Sequence, residues 1–131
     1  MSETLLATKI YIPSLHPQII QRQSILELMN AGLSIEKRLI LLCAPAGYGK
    51  TTLVCEWLQR IPHACWVSLE KGDNDPCLFF SYLIAALQTA LPRIGSQAQT
   101  ILNAPQPPPL QAVLSSLLND LTEVHSPTVI V

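Results

Sequence analysis

The chain has 131 residues, 49% of them apolar and 13% charged, with a formal net charge of −1. That length suits one domain of ordinary size, and the apolar content excludes an intrinsically disordered chain. The near-neutral balance gives no basic field for nucleic-acid phosphates, and 5% aromatics are too few for a base-stacking platform.

The charged fraction is about half of the usual ~25%, which predicts that something else covers part of the surface in the working protein. Met1-Ser2-Glu3-Thr4 lacks the basic start and apolar run of a secretory signal. The longest apolar stretch, residues 39–46, falls short of the ~20 residues that span a bilayer. The expectation is a cytoplasmic chain without membrane contact. Cys43, Cys55, Cys65 and Cys77 show no C-x-x-C spacing, so they read as reduced, packed thiols and not as metal ligands or bridges.

Residues 1–20 read as an extended arm. Pro13 and Pro17 break any helix there, and Thr8–Ile12 suits a short strand. A helix follows, with Ser24 and Glu27 as a capping box and Gly32 as its stop. Residues 38–43, Arg-Leu-Ile-Leu-Leu-Cys, are apolar on both faces, as in a buried strand of a parallel sheet. A small-residue loop, Ala44 to Thr52, runs into a helix that ends near Arg60, with Leu53, Trp57 and Ile61 on one face. Residues 64–69 form a second strand and residues 70–75 a polar turn. Asn74 or Asp75 caps the next helix, with Pro76 at its first position. That helix carries Phe79, Leu83, Ala86, Leu87 and Ala90 on one face and stops by Pro92.

Residues 94–103 suit a short helix, and 104–109 a stiff, proline-rich linker. The clearest helix is the last. Leu110, Val113, Leu114, Leu117, Leu118, Leu121 and Val124 share one helical period. Thr128–Val131 begins a third strand. This order predicts an α/β fold, with a mostly parallel sheet, flanking helices and right-handed crossovers. The boundaries expected are an N-terminal arm and helix over 1–36, and a partial P-loop domain over 37–131 that breaks off in its third strand.

The loop carries the chemistry. The P-loop pattern is G-x-x-x-x-G-K-[ST]; here Gly49, Lys50 and Thr51 fill its last three positions, while Ala44 replaces its first glycine. Gly47 and Gly49 open backbone angles closed to other residues. The N–H groups around Ala46, Gly47, Tyr48, Gly49, Lys50 and Thr51 would form a nest for phosphate oxygens, strengthened by the helix N-terminus. Lys50 brings a full charge to the β- and γ-phosphates. The Thr51 hydroxyl is placed for Mg²⁺, and Thr52 for the α-phosphate. Glu70 is read as a solvated loop acid more readily than as a metal carboxylate. His16, His63 and His125 are scattered and adjoin no nucleophile.

Leu5-Leu-Ala-Thr-Lys-Ile-Tyr-Ile-Pro13, Arg22, the loop Ala44–Thr52, Trp57, Trp66-Val-Ser-Leu-Glu-Lys-Gly-Asp-Asn-Asp-Pro76, Phe79, Tyr82, Leu83, Ala86 and Leu87 together resemble the N-terminus of the MalT-like, large ATP-binding regulators of the LuxR family. These are P-loop NTPases of the STAND class, and the resemblance covers nearly the whole chain. It implies a domain that binds ATP or ADP with Mg²⁺, an arm that folds over the adenine, and Arg22 near the nucleotide. It also implies self-association and transcription activation, with DNA contacted by a distant helix-turn-helix domain and not by these residues. Glu70 stands where Asp is usual in the family, and Leu78 where Arg is common. The acidic pair that the family places after the third strand would follow Val131, so these residues alone are expected to hydrolyse ATP slowly or not at all. Two other readings are open: a small P-loop phosphotransferase in which Glu70 or Asp73 orients an acceptor hydroxyl, and an inert remnant of a longer protein.

Overall fold

The computed structural model describes residues 5–13, 23–34, 49–105, 109–124 and 128–131. It is mixed helix and sheet, and mostly helical, with helices α1 (Gln23–Ser34), α2 (Lys50–Leu58), α3 (Pro76–Ala90), α4 (Ser96–Leu102) and α5 (Leu110–Thr122), and strands β1 (His63–Cys65) and β2 (Thr128–Ile130). No described helix is long and apolar enough to cross a membrane. The chain divides into two compact units, one of Met1–Tyr11 with His63–Val131, the other of Ile12–Pro62.

In the first unit β1 and β2 pair in parallel, His63 opposite Thr128 and Cys65 opposite Ile130. The pairing continues past both strands: Val131 N–H donates to Cys65 C=O (3.0 Å) and Val67 N–H to Val131 C=O (2.8 Å). Parallel neighbours need a long crossover, and α3, α4 and α5 supply it. Two of the three expected strands are thus present, and they are parallel as expected. The run at 38–43 lies outside the described residues.

Local chemistry sets α3. The Asp75 side chain accepts from Cys77 N–H (3.1 Å) and Pro76 occupies the first helical position, where its missing N–H costs nothing. The helix is buried on more than one side, at Tyr82, Ile84, Ala86 and Leu87; of the face expected from the sequence only Ala86 and Leu87 are buried, while Phe79, Leu83 and Ala90 are half-buried. Cys65, Ile84, Ala86, Leu87, Ile94, Ala98, Val113 and Leu117 form one core. Burial pushes the Cys65 thiol up to about 11, as for a packed thiol. Cys55 is buried and its thiol is also pushed up.

Several sequence expectations are corrected. Thr8–Ile12 is not a strand: Ala7–Lys9 is a 3-10 turn, closed by Lys9 N–H to Leu6 C=O and Ile10 N–H to Ala7 C=O, both 3.1 Å. Ser24 falls inside α1 and so cannot cap it, and α1 runs through Gly32 to Ser34, because packing outweighs one glycine's propensity. The α2 helix ends at Leu58, close to the expected end near Arg60, and a turn continues it (Arg60 N–H to Trp57 C=O, 3.0 Å). The apolar stripe of α5 splits: Val113 and Leu117 are buried, while Leu114 and Leu118 are exposed. A stripe this wide exceeds what one packing face covers, so the core takes its inner half.

The turn from α3 into α4 depends on Gly95. It is left-handed (φ 85°), its N–H donates to Asp120 Oδ2 (3.0 Å), and Gln88 Nε2 donates to Ile94 C=O (3.1 Å). A Cβ added at Gly95 would lie 2.9 Å from Ile84 Cγ2. Gly95→Ala therefore adds left-handed strain to a core clash, and should destabilise the first unit by about 1–3 kcal/mol. A lower denaturation midpoint would show it; an unchanged midpoint would mean the turn has slack.

Candidate functional site

The described part of the loop is its last step into α2. Gly49 is left-handed (φ 75°) and serves as N-cap without a side-chain hydrogen bond. Leu53 N–H donates to Gly49 C=O (3.0 Å), closing the first turn. The N–H groups of Lys50, Thr51 and Thr52 therefore open that turn without intrahelical acceptors. Lys50 is half-buried, and Thr51 and Thr52 are exposed. Among the described residues Lys50 makes no ion pair. Ala46, Gly47, Tyr48 and Arg22 lie outside the described residues.

A lysine at the first helical position opposes the helix dipole, whose positive end is the N-terminus. Its placement there is not a choice made for helix stability. The rest of α2 is an anchor: Leu53, Val54, Cys55, Trp57 and Leu58 are buried, and Trp57 Nε1–H donates to Asn30 Oδ1 of α1 (2.8 Å). The apolar side of α1 contributes Leu26 and Met29, both buried. The loop's exit is thus carried on a helix fixed at its far end.

A second polar cluster lies in the first unit, and no sequence pattern announced it. Lys9 and Asp73 are both buried. Lys9 Nζ donates to Oδ1 and Oδ2 of Asp73, each at 2.7 Å, stands 3.9 Å from Glu70 Oε2, and sits 4.8 Å from the Tyr82 ring centre. Glu70 N–H donates to Asp73 Oδ2 (2.9 Å), and Leu6 N–H donates to the Tyr82 hydroxyl (3.1 Å). The arm is therefore docked on the polar turn and α3. Glu70, whose side chain is largely exposed, borders this cluster.

The hydrogen bond from Lys9, helped by Glu70 N–H, holds the Asp73 carboxyl below the usual carboxylate range. The hydrogen bond to Asp73 raises Lys9 in turn, against a smaller opposing effect of burial. The stabilisation is complete above the unfolded aspartate value of about 3.9 and fades as pH falls through Asp73's lowered value. At the other end it is complete below the unfolded lysine value of about 10.4 and fades as pH rises through Lys9's raised one. Protection of the residue 5–10 amides, corrected for intrinsic exchange, should be flat between those limits and fall in acid only below the ordinary aspartate value. A fall centred near neutrality would contradict the assignment.

A cleft of about 190 Å³ also opens beside α3 and α4, with Asp75, Cys77, Ser81, Gln99 and Asn103 among its lining residues. Among the described residues no group of three or more His, Cys, Asp or Glu side chains is placed to hold a metal ion. A scan against models of known protein families matches none of them to this chain.

Proposed function

We propose that this chain binds ATP or ADP through the loop Ala44–Thr52, as the nucleotide-binding part of a MalT-like transcription regulator. The observation that carries the reading is the loop's exit: a left-handed Gly49, then Lys50 at the first position of an uncapped helix. Such a terminus offers free N–H donors and partial positive charge to an anion, and Lys50 adds a full charge beside them. Ala46, Gly47 and Tyr48 complete the backbone nest in the sequence pattern.

In this reading Thr51 gives one hydroxyl to Mg²⁺, whose remaining ligands are phosphate oxygens and water. Thr52 reaches the α-phosphate and Arg22 lies near the nucleotide. The partners are the nucleotide and either a second copy or the remainder of the regulator, with no nucleic-acid contact from these residues. The sheet would be that of a P-loop NTPase, and the parallel pairing of β1 with β2 fits that architecture. The phosphotransferase alternative loses Asp73 as its acid, since both carboxylate oxygens are engaged by Lys9, and would rest on the largely exposed Glu70.

Calorimetric titration of the folded chain with ADP and with ATP, each with and without Mg²⁺, tests the proposal. Saturable binding that tightens with Mg²⁺ is expected. A chain that is helical by circular dichroism yet binds neither nucleotide would overturn it.

A further inference from the structure

The described arm ends its docking at a strand edge. Consecutive N–H groups of an extended chain point to opposite sides. Val67 N–H goes to Val131, on the β2 side, whereas Ser68 N–H goes to Lys9 C=O at 2.8 Å. The segment Leu5–Ile10 therefore covers the other edge of the strand that extends β1. Uncovered edges are where chains pair wrongly, and folds commonly lay a segment over them.

Apolar burial in this segment is partial: Ile10 is half-buried against the core and Leu5 is half-buried at the cleft beside α3. Leu6 is 60% exposed, and Ala7 and Thr8 are exposed as well. Besides the Ser68 bond, its side-chain polar hold sits at two points: the buried Lys9–Asp73 pair, and the bond from Leu6 N–H to Tyr82. The chain leaves this unit after Tyr11 and re-enters it at His63. One of the two covalent joins of residues 12–62 to the rest therefore runs through this segment.

We propose that Leu5–Ile10 is a detachable strap, latched over the edge at Ser68 by the Lys9–Asp73 pair and by Tyr82, that releases without unfolding the core beneath it. Elements with few buried apolar contacts open at lower free energy than the packed core, and here the polar latch sets that opening. Latched, the strap covers the Ser68 edge; released, it bares that edge. The proposal goes beyond the nucleotide reading and does not depend on it.

Hydrogen exchange on the full chain tests it without nucleotide. Lys9→Met keeps the length of the side chain but removes its charge. It should speed exchange of residues 5–10 and of the Ser68 amide by at least about tenfold, the scale of one lost hydrogen bond to a charged group. Amides of α3 and α5 should stay within about twofold, as expected where opening is local. Lys9→Arg should restore most of the strap's protection. Unchanged strap exchange in Lys9→Met would overturn the latch, and an equal rise in α3 and α5 would show that the strap is an inseparable part of the core. Tyr82→Phe tests the second point independently, and decides the case should Lys9→Met fail to fold: faster exchange at Leu6 with an unchanged core supports the latch, and no change at Leu6 refutes it.

Discussion

Lys50→Ala should weaken ADP and ATP binding about ten- to a hundred-fold, because a charge-assisted hydrogen bond to phosphate is worth roughly 1.5–3 kcal/mol. The same change should leave the fold intact. Lys50 stands at the positive end of α2, where its charge opposes the helix dipole, so its removal is neutral or favourable to the helix by about 0.3–1 kcal/mol. Affinity and stability are thus expected to move independently, or even in opposite directions. Titration calorimetry beside circular dichroism reads both. Equal affinity in the variant would sink the assignment of Lys50 as a phosphate ligand, whereas a loss of helix would remove α2 as an independent anchor. Thr51→Ala makes a finer cut: its effect should be confined to titrations that contain Mg²⁺.

Leu117→Ala should destabilise the first unit by about 2–5 kcal/mol, while Leu118→Ala, one residue on, should cost about 0.5 kcal/mol or less. The two side chains are identical, and the helical period assigns both to the same stripe. Leu117 is 2% exposed and Leu118 53%. Truncating Leu117 removes buried methyls from contact with a closed core of Ile84, Leu87, Ala98 and Val113 and leaves a cavity. Truncating Leu118 removes atoms that already meet water, and alanine is the better helix former. Denaturant midpoints of the two variants give the comparison directly. Equal losses would mean that the outer row of α5 is also covered.

The start of α2 was more legible than the fold around it. A glycine and a lysine adjacent in sequence must be adjacent in space, so a helix start at Lys50 could be read from a short pattern and its preceding glycine. The same locality made Asp75 and Pro76 readable as the start of α3, since cap and first turn lie within three residues of one another. The α5 helix was legible by its period, though not which half of its stripe would be buried. The Lys9 cluster left no such signal. Its partners are 64 residues apart, and neither a lone lysine in an arm nor an aspartate in a polar turn names the other.

The sequence by itself determined the local elements: the left-handed step into α2, the capped start of α3, the turn at Pro92 and the alternation that puts β1 and β2 in parallel. Each follows from backbone stereochemistry or from a hydrophobic period within one segment. Only the tertiary structure decided that the arm is a docked 3-10 turn and not a strand, that α5 buries Leu117 and not Leu118, and that Asp73 is neutralised by Lys9. Those outcomes depend on which distant surfaces compete for the same contact, and burial and pairing across space, not propensity along the chain, settle that competition.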